Sequence, residues 1–121
     1  MFKRKKTITR TIFRNINPEE GLQIIQKNKD NSDFVILDVR TPPEFEESHL
    51  QQAKLLDYYS PIFKEELLKL DKSKIYLIYC RTGVRSAETL NLMKNLGFKE
   101  VYNLIGGLNL WKSKGLPLKK I

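Results

Sequence analysis

Short unbroken apolar runs alternate along this chain with segments in which apolar residues recur at helical spacing. The runs at residues 34–37 and 75–79 are typical of strands that are buried on both faces of a parallel sheet. Shorter strands are predicted at residues 11–16, 53–56 and 101–105. Because strands that alternate with helices imply crossover connections, the pattern predicts an α/β domain. We expect a central, mostly parallel sheet of about five strands with helices on both faces.

Capping signals mark the predicted helix starts. Asn17-Pro18-Glu19-Glu20 and Thr41-Pro42-Pro43-Glu44 each combine an N-cap residue, an early proline and a glutamate at the third helical position. Ser60-Pro61 predicts a further helix start, and a helical pattern that follows Ser86 ends at Gly97. A last short helix, at residues 108–114, carries Trp111, which we interpret as a core residue.

The chain has one cysteine, Cys80, and it comes directly after the central apolar run. A thiol at that place faces a helix start, where unpaired N–H groups and the helix dipole favour the nucleophilic thiolate. Arg81 and Arg85 add positive charge, and Gly83 allows a tight bend that brings several N–H groups together. The alternative is a buried cysteine that only ends a core strand. Two arginines within five residues do not suit an apolar core, so we predict a reactive cysteine in an anion-binding loop.

Asp38 and Arg40 follow the other buried run. Ligand sites of parallel sheets lie beyond the carboxyl ends of the strands, so we expect both residues to share a rim of the sheet with Cys80. A structural ion pair between them is favoured over a direct catalytic role, because arginine suits carboxylate pairing. His49 is interpreted as a hydrogen-bonding residue of a loop rather than as a general base.

Composition narrows the classes of function. A chain of 121 residues forms one domain, and its longest apolar run is too short to span a membrane. A single cysteine excludes internal disulfides, CxxC redox chemistry and a thiolate metal cluster, and a single histidine makes a zinc site improbable. We therefore predict no metal, no cofactor and no membrane partner.

The net charge of +8 is unevenly distributed. Residues 1–14 contain six basic residues and no acidic one, whereas the other 16 basic residues nearly balance the 14 acidic ones. We predict a basic flexible arm at residues 1–9 and a single domain at residues 10–121. The arm lacks the apolar segment of a secretory signal, which favours a cytoplasmic protein. Contact of the arm with RNA or another polyanion is a weakly supported alternative, since a charge cluster is not specific.

These segments together resemble the rhodanese (thiosulfate sulfurtransferase) family in its single-domain form. The specific part of the resemblance is the Cys-Arg-x-Gly-x-Arg loop, and the match runs from about Phe13 to Leu118. The matching segments are Asp38-Val39-Arg40, Pro43-Glu44-Phe45, His49, Ala53, Tyr79-Cys80-Arg81-Thr82-Gly83-Val84-Arg85-Ser86-Ala87, Gly97-Phe98, Val101, Gly106-Gly107, Trp111 and Gly115-Leu116-Pro117.

The resemblance implies sulfur transfer in two steps. The Cys80 thiolate would take the outer sulfur of thiosulfate or a similar small anionic donor and become a persulfide. A thiol or protein in the cell, or cyanide in an assay, would then accept that sulfur. The loop residues Arg81, Thr82, Gly83, Val84 and Arg85 would bind the donor, with Asp38, Arg40 and Ser86 in supporting roles.

Three alternatives stay open at this point. A cysteine-loop phosphatase or arsenate reductase uses a similar thiolate, but phosphatases have five residues between cysteine and arginine where this chain has four. The domain could instead be a non-catalytic binding module, or a sulfur carrier in a larger pathway such as tRNA thiolation.

The segment Ser48-His49-Leu50-Gln51-Gln52-Ala53 departs from the family pattern, because it lacks two glycines and a proline that the family has there. We therefore expect the backbone of this loop to follow a different path.

Overall fold

The computed structural model describes residues 10–120, without the side chain of Lys120. The arm predicted at residues 1–9 lies outside the described residues, as does Ile121. In chain order the elements are β1 (Ile12–Ile16), α1 (Pro18–Lys27), β2 (Phe34–Asp38), α2 (Pro42–Glu47), β3 (Ser48–His49), β4 (Lys54–Leu55), α3 (Phe63–Leu68), β5 (Ile75–Tyr79), α4 (Val84–Asn95), β6 (Glu100–Leu104), α5 (Gly107–Ser113) and β7 (Lys119–Lys120).

A five-stranded sheet in the order β1-β6-β5-β2-β4 forms the centre of the domain. All four of its strand pairs are parallel, as predicted. The register sets Asp38 beside Tyr79, so β2 and β5 end side by side at one rim of the sheet. Between residues 10 and 120, no helix is both long and apolar enough to cross a membrane.

Helices cover both faces of this sheet. Alternate residues of β5 point to opposite faces, and each face has its own buried cluster. Tyr76 and Ile78 lie in the cluster that includes Phe63 of α3 and Met93 of α4. The cluster on the other face contains Leu77 and Tyr79 of β5 and residues of α1 and α5, including Trp111, which is buried as predicted.

A second, two-stranded sheet was not predicted. Ser48 and His49 form β3, which pairs antiparallel with β7, so the strand at Glu100–Leu104 is not the last one. His49 therefore lies in a strand rather than a loop. Its Nδ1 is 2.8 Å from the carbonyl oxygen of Phe45, and the two rings stack with centroids 3.8 Å apart. The hydrogen-bonding role predicted for His49 agrees with this geometry.

Two helix starts also differ from the prediction. The third helix starts at Phe63 rather than at Ser60-Pro61, after a turn. α4 starts at Val84 instead of after Ser86. Gly83 accounts for this early start: its φ of 102° turns the chain sharply enough for the next residue to be helical. Ser86 consequently lies in the first turn of α4.

Gln52 has a φ of 68°, in the left-handed region that favours glycine. It lies in the segment where the resemblance led us to expect an altered path for want of glycine. At this position the backbone nevertheless takes a glycine-like conformation. For a non-glycine residue such as Gln52, this conformation lowers the free energy of unfolding by about 1–2 kcal/mol.

Candidate active site

Cys80 follows β5 directly and is 1% exposed, with its thiol free. The chain then passes through Arg81 and Thr82 to Gly83 and enters α4. This short loop folds over the sulfur atom. The predicted position of the cysteine, between the central strand and a helix start, is thus the one found.

Three hydrogen-bond donors surround the sulfur. The N–H of Gly83 lies 3.0 Å from Cys80 Sγ, the N–H of Ser86 lies 3.5 Å from it, and the Ser86 hydroxyl 3.4 Å. Burial raises the pKa of the Cys80 thiol, but hydrogen bonds from the Ser86 hydroxyl and N–H, and from the N–H groups of Gly83 and Thr82, outweigh burial. The pKa of the thiol is therefore below its ordinary value. Hydrogen bonds from these local donors, rather than the arginine charges that the sequence emphasised, are the main causes that lower the pKa of the Cys80 thiol.

Titration of Cys80 tests this environment. Because the depressed pKa shifts the thiolate to lower pH, its absorbance near 240 nm should develop at a lower pH than in an unperturbed thiol. The single cysteine makes the signal specific, with Cys80→Ser as the blank. Ser86→Ala removes one donor and should move the midpoint to higher pH. Ser113→Ala, which removes a hydroxyl on α5, should leave the midpoint in place; equal midpoints for the wild type and Ser86→Ala would contradict the assignment.

The Gly106-Gly107 turn packs against the backbone of the loop that begins at Cys80. The N–H of Leu108 donates to the carbonyl oxygen of Cys80 at 2.8 Å, and the N–H of Asn109 donates to that of Arg81 at 3.0 Å. A Cβ on Gly107 would collide with that same Cys80 oxygen and would lie 2.6 Å from the carbonyl carbon of Arg81. The sequence singled out this glycine pair without a role. Only the fold shows that it packs against the cysteine loop.

Arg85 pairs with Glu44 of α2. Two bonds of 2.9 and 3.1 Å join the guanidinium to the carboxylate, and both side chains are mostly buried. The bonds from Arg85 lower the pKa of Glu44 to about 2, and those to Glu44 raise the pKa of Arg85. The Arg85 guanidinium also lies 5.6 Å from the ring centre of Tyr59. The positive charge of Arg85, which was predicted to bind a sulfur donor, is thus partly balanced by Glu44. The sequence had assigned Glu44 only to the cap of a helix.

Asp38 and Arg40 form a buried ion pair at the rim beside this loop. Arg40 Nη2 donates to Asp38 Oδ2 at 2.7 Å and to the carbonyl oxygen of Ser48 at 2.6 Å. The Tyr79 hydroxyl donates to Asp38 Oδ2 at 2.7 Å and accepts from the N–H of Leu50 at 3.0 Å. The network joins the ends of β2 and β5 to the segment that follows α2. This geometry agrees with the structural pair that the sequence favoured.

The remaining predicted residues lie on the open side of the loop. The side chains of Arg81, Thr82 and Val84 are exposed. No carboxylate among the described side chains lies within 4 Å of the Arg81 guanidinium. The part of the chain that the structure describes contains no group of three or more residues suited to a metal ion.

The sequence matches the family model of the rhodanese-like domain over residues 21–114. It is 35% identical over 102 residues to the thiosulfate sulfurtransferase GlpE of Coxiella burnetii, covering 84% of this chain and 90% of that protein. It is 28% identical over 103 residues to a sulfurtransferase of Allochromatium vinosum, covering 85% and 94% of the two chains.

Solved structures agree on the fold. A rhodanese-related protein from Thermoplasma volcanium matches with a TM-score of 0.73 and 24% identity, covering 88% of this chain and 98% of that chain. A likeness at this identity concerns the arrangement of strands and helices alone.

Proposed function

This chain belongs to the rhodanese-like domain family, and we propose that it is a sulfurtransferase that carries its sulfur as a persulfide on Cys80. The observation that supports this most is the set of three donors within 3.5 Å of a single buried sulfur atom. Such a pocket suits a sulfur anion, because N–H and O–H groups stabilise the thiolate before the reaction. The names of the similar proteins point to the same chemistry.

The donor is thiosulfate or a similar small anion. The Cys80 thiolate attacks the outer sulfur of the donor, a new S–S bond forms, and the old S–S bond breaks with its electron pair leaving on sulfite. The product is the Cys80 persulfide anion, so charge and atoms balance. Arg81, exposed at the loop entrance, attracts the anionic donor. A thiol or a protein in the cell, or cyanide in an assay, then accepts the outer sulfur.

Phosphoester hydrolysis is less well supported. Such a reaction needs a general acid for the leaving group, and Asp38, at the rim near Cys80, is committed to Arg40 and Tyr79. Arg85, which would have to bind phosphate, is held by Glu44. The commitment of Asp38 favours transfer of sulfur over transfer of a phosphoryl group, because sulfur transfer from thiosulfate needs no general acid for its leaving group, whereas the pairing of Arg85 bears on both anions alike.

Intact mass spectrometry tests the proposal. Wild-type protein treated with thiosulfate and freed of reductant should gain the mass of one sulfur atom, and a reductant should remove it. Protein in which Cys80 has been alkylated beforehand should gain nothing. Absence of the gain in wild-type protein whose thiol still titrates would overturn the proposal for thiosulfate, and hydrolysis of a phosphate ester would then support the alternative.

A further inference from the structure

The strand β1 lies at one edge of the central sheet, and its outer side is open. It pairs with β6 and with no other described strand. The N–H of Ile12 donates to the carbonyl oxygen of Lys99, on the side of β6. Because the backbone groups of successive strand residues point to alternate sides, Phe13 and Asn15 direct their N–H and C=O groups away from β6. No described residue forms a hydrogen bond with these four groups.

This outer edge of β1, formed by the backbone of Phe13 and Asn15, has the form of a template for another strand. Each N–H and C=O pair can bond to one residue of an extended chain. The register with β6 is continuous through all five residues of β1, so no bulge twists the edge away. The Asn15 side chain is bonded across to β6, where its Oδ1 accepts from Asn103 Nδ2 at 3.0 Å, and it leaves the edge uncovered.

The charges beside the outer edge are mostly positive. Arg14 in β1 and Arg10 just before it are exposed, and Lys94 Nζ of α4 lies 5.9 Å from the ring centre of Phe13. Glu20 lies 3.6 Å from Arg14, but its other carboxylate oxygen caps α1, and an exposed ion pair of this kind is weak. In the sequence, residues 1–9 add four basic residues and no acidic one. An acidic chain therefore suits this edge.

We propose that the outer edge of β1 is a docking site for an extended acidic segment of a partner protein, which adds to the sheet as a sixth strand. The backbone of the segment bonds to Phe13 and Asn15, and its carboxylates lie beside Arg14 and Arg10. A second copy of this chain is disfavoured, because its net charge of +8 and its own Arg14 would be repelled. Phosphates of RNA only accept hydrogen bonds, so they leave the two carbonyl oxygens of the edge unmatched.

The docking site is separate from the cysteine loop. β6 lies between β1 and β5, and neighbouring strands are about 4.8 Å apart, so a sixth strand would lie about 14 Å from β5. A partner bound there leaves the loop open while it is held near it, which raises its effective concentration at the loop. Binding at this edge does not depend on the sulfur chemistry of Cys80.

Hydrogen exchange of backbone amides, followed by NMR on the full chain, tests strand addition at each residue. The probe is a synthetic peptide, as long as β1, in which glutamate and valine alternate. Without it, the N–H groups of Phe13 and Asn15 should exchange quickly, whereas those of Ile12 and Arg14, which face β6, should exchange slowly. Saturating peptide should slow exchange at Phe13 and Asn15 at least about tenfold. Slow exchange of both in the free protein would show that the edge is already covered, and would overturn the proposal.

Matched variants separate backbone pairing from charge. Asn15→Ala and Asn15→Pro both remove the amide side chain, but only proline also removes the outward N–H, at an edge position that tolerates proline. The affinity of Asn15→Pro for the peptide should be at least about tenfold below that of Asn15→Ala. Arg14→Gln should weaken binding severalfold at low salt, whereas Lys64→Gln, which removes a charge from α3, should not. Melting temperatures and thiosulfate turnover verify that each variant is folded.

Comparisons on the wild-type chain keep the test independent of how the variants fold. A peptide with every backbone nitrogen methylated keeps its charge but has no N–H to donate, so it should not bind. Equal affinity for the methylated and unmethylated peptides would mean that charge alone attracts them, and would overturn strand addition. Tighter binding of a uridine oligonucleotide, equal in Asn15→Ala and Asn15→Pro, would assign the basic surface to RNA. Self-association of the wild type that Asn15→Pro abolishes would assign the edge to a second copy.

Discussion

Cys80→Ser is expected to abolish sulfur transfer and to lower kcat/KM by at least about a thousandfold. A serine hydroxyl does not ionise near neutral pH, and it has no sulfur on which a persulfide could form. The donors of Gly83 and Ser86 can bond to oxygen as well as to sulfur, so the fold should persist. The free energy of unfolding should change by no more than about 1 kcal/mol.

Steady-state turnover of thiosulfate and cyanide, together with thermal unfolding, measures both effects. Residual kcat/KM within tenfold of the wild type in a folded variant would contradict the role of Cys80. A variant that is inactive and also unfolded would be repeated as Cys80→Ala, which removes the nucleophile without placing a hydroxyl in the loop.

Gly107→Ala should destabilise the protein by about 3 kcal/mol or more and inactivate what remains folded. Gly107 has a φ of 57°, and an added Cβ would meet the backbone of Cys80 and Arg81. Backbone at this point cannot move without breaking the bond from Leu108 N–H to the Cys80 carbonyl oxygen. The loop would shift relative to α4, and the donors around the sulfur would no longer converge.

Gly115→Ala is the matched control. Gly115 has a similar φ of 67°, but a Cβ there would meet nothing within 4 Å. The Gly115→Ala substitution should therefore lower the free energy of unfolding only by the backbone strain of about 1–2 kcal/mol. Turnover should stay near the wild-type value. Chemical denaturation compares the two variants. Equal losses of stability would mean that backbone strain accounts for the whole effect and that the contact with Cys80 matters little.

The pairing of Arg85 with Glu44 changes how the loop can be understood. From the sequence, Arg81 and Arg85 look equivalent, as two cations flanking the reactive thiol. In the fold, Arg85 is tied to α2, whereas Arg81 is exposed. Binding of the donor by Arg85 stays a prediction, and it requires the guanidinium to serve Glu44 and the donor together. Arg81 is the loop arginine that forms no ion pair with a described side chain, so its charge can act on an approaching anion.

The sequence alone predicted the strands of the central sheet, most of the helices and the position of the candidate nucleophile. Unbroken apolar runs predict buried parallel strands, and capping signals such as Asn17-Pro18 predict helix starts, because both effects depend on a few neighbouring residues. The same local reasoning placed Cys80 between a central strand and a helix. It placed the start of α4 too late, after Ser86, because the spacing of apolar residues does not show that the tight bend allowed by Gly83 makes Val84 already helical.

The tertiary structure decided which distant residues complete the site. Glu44 meets Arg85 across 41 residues of sequence, and the Tyr79 hydroxyl meets Asp38 across the same separation. Gly107, at the start of the helix that follows β6, packs against the backbone of Cys80 and Arg81. Such contacts follow from strand order and register, and no local pattern encodes those. The sequence therefore predicted which atom is the candidate nucleophile, and the fold specified the groups that hold and surround it.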